Sequence, residues 1–266
     1  MSEHEQPVTE STPHKFPVIR EVKVESIFDW LHAGVEDTRR GGFASLFYGI
    51  SFAVAGLVMH DVFAAHHALL AGLTTGFLLL GPFLALGLYD LSKSMEKGEG
   101  AKLLPSLTAW RTNMMNVGLF AGLLIVVMLI WARASLVIFA LYFEGGLPTF
   151  NDIVLAVINF EQPTFAIVYF AVGGFFAGFV FAISVVAIPL MADRKIDAVT
   201  AALASIMACA RNPITMFLWA FCIVVLVGFG FATSFLGLIV TMPVIGHATW
   251  HVYRDLVEVE HLEVAT

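Results

Sequence analysis

The stretch PITMFLWAFCIVVLVGFGFATSFLGLIVTMPVIGHATWHVYRDL, residues 213–256, decides the fold. A helix needs about 20 residues to cross a bilayer, so this almost unbroken apolar run is too long for one span and about right for two. Charge placement supports the hairpin. The chain has 14 Lys and Arg residues, and with six spans all of them except Arg133 fall on one side. A single span at the end would move Arg254 to the other side. Basic residues mark the cytoplasmic face of a membrane protein, which predicts cytoplasmic N- and C-termini.

Composition agrees. Of the 266 residues, 59% are hydrophobic and 13% charged, with mean hydropathy +0.85; soluble domains carry about 25% charged residues. The expected class is all-α, a polytopic membrane helix bundle. Net charge is −7 and the basic residues lie scattered beside the spans, so no nucleic-acid partner is expected. Cys209 and Cys222 have no metal-type spacing and form no disulfide framework. The polar start, residues 1–16, reads as a disordered cytoplasmic tail without a signal peptide. Residues 17–256 read as one membrane domain and 257–266 as a second cytoplasmic tail.

Working back through the domain, Val18–Val24 alternates valine with charge and predicts a short extended lead-in. Val24, Ile27, Phe28, Leu31 and Val35 then share one helical face, an interfacial amphipathic helix broken by Gly41-Gly42. Spans are predicted over about 43–59, 68–89, 114–134 and 165–191, before the closing pair. A second short apolar stripe follows Pro105, and a third helix runs from Asp197 to Asn212-Pro213. The chain thus reads as three units, each an interfacial helix plus a helical hairpin, with six transmembrane helices in all. The final hairpin is expected to turn near Gly228, Gly230 and Ser234. Three small-xxx-small pairs suit close helix packing: Gly72 with Gly76, Gly118 with Gly122, and Gly174 with Gly178. Trp30, Trp110 and Trp250 read as an inner aromatic belt, and Trp131 with Arg133 as outer anchors.

Two histidine groups are candidates for chemistry. His247 and His251 lie four apart on one helical face, so they could share a metal or haem, or handle protons, given a third ligand from elsewhere. The competing reading places both among the lipid headgroups near the inner surface, and the spacing favours it. His60, His66 and His67, with Asp61, form a second cluster in a tight outer turn that could hold a metal; a turn between spans must be polar in any case and one loop rarely supplies a whole site, so the polar-turn reading is favoured. No P-loop, metalloprotease helix or nucleophile elbow occurs, so neither an enzyme nor a cofactor is expected.

Two motifs resemble a known family. Trp30-Leu31-His32-Ala33-Gly34-Val35-Glu36-Asp37, followed by Arg40, Ser45-Leu46 and Tyr48-Gly49, is similar to the opening of a domain-of-unknown-function family of bacterial inner-membrane proteins. Gly246-His247-Ala248-Thr249-Trp250-His251, followed by Tyr253-Arg254-Asp255-Leu256, resembles its closing motif. The resemblance implies a six-span fold and no activity; some members carry the label cytochrome c oxidase subunit-like. Trp30, Asp37, Arg40, Trp250, Tyr253 and Arg254 are read as an interfacial motif. Three functions compete: a non-enzymatic accessory or assembly subunit, packing against lipid and other subunits or a second copy; a transporter or channel for a small or amphipathic solute; and a metal- or haem-binding protein.

Overall fold

The computed structural model describes residues 16–65, 84–143 and 162–265, with backbone alone for 59–65. Three expectations fall elsewhere. The disorder of residues 1–15 and the packing pair of Gly72 and Gly76 lie outside the described residues. The outer histidine cluster of His60, His66 and His67 lies outside the described side chains.

A short strand β1 (Val18–Ile19) leads into α1 (Ser26–Gly41), which carries Asp29 in its first turn and Arg39 and Arg40 in its last. Those signs suit the helix dipole. Gly42 ends α1 at φ +50°, a left-handed conformation that glycine adopts without a Cβ clash. The chain then turns through 105° into α2 (Phe43–Ala65). Residues 84–96 form α3. A one-turn helix α4 (Leu103–Ser106) and a 3-10 turn (Ala109–Asn113) precede α5 (Met114–Tyr142).

Pro163 opens α6 (Pro163–Ser184) at a first-turn position that needs no N–H donor. The helix breaks before α7 (Ala187–Asp193) because Pro189 cannot bond the carbonyl of Val185. The freed Val186 N–H donates to Ser205 Oγ at 3.1 Å. Asp197 caps α8 (Ala198–Arg211) by accepting from Val199 N and Thr200 N at 3.0 and 2.9 Å. Then come α9 (Pro213–Ala232), α10 (Leu238–Leu256) and strand β2 (Val257–Glu258).

The closing stretch is a helical hairpin, but it turns later than the glycines suggest. Gly228 and Gly230 lie inside α9, and the turn uses Ser234 (φ 52°) and Phe235 (φ 67°). The Phe235 ring fills the space that a Cβ on Gly56 would need, 2.5 Å away. Non-glycine residues rarely adopt that conformation. Hydrogen bonds within the turn accompany this contact, with Phe235 N donating to Gly230 O at 3.0 Å and Gly237 N to Thr233 Oγ1 at 2.8 Å.

Three helical segments are long and apolar enough to cross a membrane: Leu103–Tyr142, Pro163–Asp193 and Pro213–Ala232; joining α1 to α2 across their bend gives a fourth. The described residues thus establish a membrane helix bundle and three to four span candidates, and six spans remain a sequence expectation. Most of the second expected span, Gly72 and Gly76 included, lies outside them. The sixth, α10, is the centre of the bundle. It packs chiefly against α1 and α2, and Ala248, Trp250, Val252, Tyr253 and Leu256 are all buried.

Close approach to α10 is made possible by glycines other than the expected ones. A Cβ on Gly34 would lie 2.6 Å from Val244 O, one on Gly49 2.0 Å from Ile239 O, and one on Gly246 2.5 Å from Leu88 Cδ1. By contrast, a Cβ on Gly118, Gly122, Gly174 or Gly178 meets nothing within 4 Å. Those two pairs do not mediate packing among the described residues. The small-xxx-small spacing correctly finds smooth helix faces, but it does not say whether a neighbour covers them.

The two strands meet at one end of the bundle. β1 and β2 pair antiparallel, Val18 opposite Glu258, and Arg20 N donates to Leu256 O at 2.8 Å. Buried Asn212 holds the lead-in from the other side, accepting from Val22 N at 2.8 Å and donating to Arg20 O at 3.0 Å. The segment after α10 is therefore a packed strand, with Val257 and Val259 each 1% exposed.

Candidate functional site

The site lies where the two end motifs meet. On α1, a buried face of Ile27, Trp30, Gly34, Asp37 and Gly41 follows the helical repeat and faces α10. Gly34 lets the helices touch, which brings Asp37 level with His251 one turn below His247. Helix α2 contributes Ser45 and α3 contributes Ser92. Four helices therefore converge on one chain of hydrogen bonds.

Its geometry is continuous. His251 Nε2 lies 2.8 Å from Asp37 Oδ2. Ser92 Oγ donates to the same oxygen at 2.8 Å and lies 2.7 Å from His247 Nδ1. Ser45 Oγ lies 2.8 Å from His247 Nε2. The donor inventory orders the chain. Ser92 has one hydroxyl proton and gives it to Asp37, so it accepts from Nδ1–H of His247. Nε2 is then an acceptor, and Ser45 donates to it. With Asp37 ionised, every polar atom along this path is satisfied, and the hydrogen bonds from Ser45 through Ser92 all point toward the carboxylate. Burial raises the Asp37 pKa, but hydrogen bonds from His251 and Ser92 outweigh it and hold the carboxyl below the ordinary carboxylate value.

Burial is graded along the chain. Ser45 and His247 are fully enclosed, and Ser92 is 1% exposed. The His251 side chain is 30% exposed and borders a shallow open depression with Asp29, Trp30, Ala33, Arg254 and Asp255. Gly41 makes the sealed end possible, because a Cβ there would fall 2.0 Å from Ser45 Oγ.

These contacts correct two expectations. His247 is not among headgroups: depth along α10 follows from residue count, but α1, α2 and α3 enclose it. Both His247 nitrogens are taken by serine hydroxyls, and among the described residues no three His, Cys, Asp or Glu side chains gather as a metal site. Finally, most of the interfacial motif faces inward. Trp30 stacks edge-on against Trp219 at 6.0 Å and donates to Asp255 at 3.1 Å. Trp250 is 1% exposed and donates to Glu96 at 3.1 Å. Only Arg40, paired with Glu36, and Arg254, paired with Glu96 at 3.0 Å, stay at the surface.

A second network flanks the first. Tyr253 donates to Asp193 Oδ2 at 2.7 Å, while Lys93 and Arg194 approach the same carboxylate at 3.2 and 3.1 Å. It ties α3, α7 and α10 together. The sequence gives no sign of this hub, since its members lie in three separate stretches. Asp37, Ser45 and Ser92 are equally hidden as partners of His251 and His247. The one available signal was the pairing of the two end motifs, each richer in polar residues than its apolar surroundings require.

Ser45, His247 and Ser92 lie in the order of a nucleophile, base and orienting group. A substrate must also reach the nucleophile, and Ser45 is fully buried among packed helices.

Fold and site together define an all-α integral membrane protein whose polar groups are locked to one another at one end of the bundle. Residues 69–193 match the family described as "Predicted integral membrane protein (DUF2189)". This is the domain-of-unknown-function membrane family that the end motifs resemble, and the matched stretch lies between those motifs. No curated protein and no solved structure matches the chain.

Proposed function

We propose that the protein is a non-enzymatic accessory or assembly subunit of a larger membrane complex in the bacterial inner membrane, with both termini cytoplasmic. A respiratory complex is the case that the oxidase-subunit label of some members of the resembled family points to. One observation carries this reading. The faces formed by Gly118 and Gly122 and by Gly174 and Gly178 are smooth and, among the described residues, uncovered. For the span containing α5, only 11% of the most apolar window is buried. Small residues of this kind allow a second helix to come close, and such packing drives association in lipid. The sealed polar chain supports the non-enzymatic part, since Ser45 and His247 cannot meet a substrate without opening four packed helices.

The test is native mass spectrometry of protein extracted from its own membrane, comparing wild type with the double variant Gly118→Leu, Gly174→Leu. The expected result is a defined assembly with other subunits or a second copy, lost in the variant while helicity and melting stay unchanged. A strictly monomeric wild type, or an assembly indifferent to both substitutions, overturns the proposal.

A further inference from the structure

We propose that the surface around Arg111 and Lys195 binds the headgroup of an anionic phospholipid. The two cations come from separate stretches, and Asn113 joins those stretches. Its side-chain amide donates to Met191 O at 3.3 Å and to Ile196 O at 3.0 Å, while its own Oδ1 accepts from Asn116 at 2.7 Å. Arg111 lies two residues before Asn113 and Lys195 one residue before Ile196, and both are exposed. The Arg111 guanidinium sits over the Trp110 ring, 5.3 Å from its centre, a placement that favours a cation. Trp110 in turn donates from Nε1 to Leu107 O at 3.1 Å.

Charge makes a phosphate the fitting partner. Among the described residues, no carboxylate pairs with Arg111 or Lys195. The acidic residues nearest Lys195 in the chain are already engaged. Asp193 holds Lys93, Arg194 and Tyr253, and Asp197 accepts from Val199 N and from the N–H and hydroxyl of Thr200. On the other stretch, residues 100–143 contain no Asp or Glu. Exposed apolar side chains make the partner a lipid. Leu104, Leu107 and Met115 recur with Arg111 at intervals of three or four residues, and Leu104 and Met115 are each 78% exposed. Val199, four residues after Lys195, is exposed as well. Met115 leads into the apolar span of α5, so acyl chains lying along that helix bring their headgroup to the two cations. Long basic side chains lay their stems on apolar surface and keep the charge at the level of the phosphates.

The experiment is native mass spectrometry of the full-length protein in a non-ionic detergent, titrated with dioleoyl phosphatidylglycerol or dioleoyl phosphatidylcholine. Wild type is expected to bind phosphatidylglycerol at least about tenfold more tightly. Arg111→Gln with Lys195→Gln should lose about 10–25-fold in phosphatidylglycerol affinity, roughly fivefold per cation, and leave phosphatidylcholine unchanged. The charge-keeping pair Arg111→Lys with Lys195→Arg should retain the preference. Lys23→Gln with Arg39→Gln, which removes the same charge from either end of α1, should retain it too. Equal binding of the two lipids by wild type overturns the proposal. So does a loss in the charge-keeping pair or in the α1 pair as large as that in the Arg111 and Lys195 glutamine pair. Displacement of phosphatidylglycerol by an equimolar amount of glycerol phosphate would make a soluble phosphate the ligand, and overturns it as well. If the glutamine pair fails to fold, Lys195→Gln alone must weaken phosphatidylglycerol about fivefold, and an unchanged affinity there contradicts the site.

Discussion

Asp193 is 5% exposed yet faces Lys93, Arg194 and the Tyr253 hydroxyl, and it shows how a single residue matters in this bundle. A buried charge costs several kcal/mol unless paired, and removing one partner leaves the others uncompensated. Asp193→Ala should therefore destabilise the protein by about 3–5 kcal/mol. Tyr253→Phe removes one hydrogen bond to a charged group and should cost about 1.5–3 kcal/mol. Chemical unfolding in detergent would rank the two, and the reverse order would contradict this arrangement. Asp37 sets a pH dependence. Its carboxyl is held below the unfolded value of about 3.9, so its contribution is complete above that pH and is lost as pH falls through the lower folded value. Melting temperature should drop in acid below about pH 4, and Asp37→Asn should flatten that limb. An unchanged acid limb in Asp37→Asn would show that the carboxylate does not hold the α1–α10 seam.

Glycines distinguish the inner elements from the outer ones. Gly49 sits against the backbone of α10, so Gly49→Leu must push α2 away and should cost at least about 1–3 kcal/mol. Gly118→Leu meets open space on α5 and should leave the isolated chain's stability within about 0.5 kcal/mol. Equal melting shifts for the two would mean that the helix contacts are misplaced. The comparison also shows what a sequence can reveal about elements. Apolar run length, the stop at Gly42 and the starts at Pro163 and Pro213 make the helices readable, because a bilayer and a missing N–H act locally. Which helix faces which does not follow from local pattern. Trp30 and Trp250 have the composition of a membrane belt and sit in the core, since α1 lies against α10 as well as along the bundle end. His247 was recognisable as unusual, but Ser45, Ser92 and Asp37 are ordinary residues until folding brings them together.

On the scale of the whole molecule, four basic residues pair near the β1–β2 end of the bundle: Lys93 and Arg194 on Asp193, Arg254 on Glu96, and Arg20 on Glu258. Arg133 is exposed on α5, the one cation on the other side of the six-span scheme. Cysteines placed at Lys97 and Lys195, in a background carrying Cys209→Ser and Cys222→Ser, should react with an impermeant reagent from one side of the membrane, and a cysteine at Arg133 from the other. Labelling of all three from one side would overturn the topology. The most direct test of the accessory-subunit reading is cross-linking in the native membrane from single cysteines at Gly118, Gly174 and Gly49 in that same background. The account predicts a discrete adduct to a second chain from 118 and from 174, and none from 49, which faces α10. Adducts absent from both outer positions, or equally strong from 49, would contradict it.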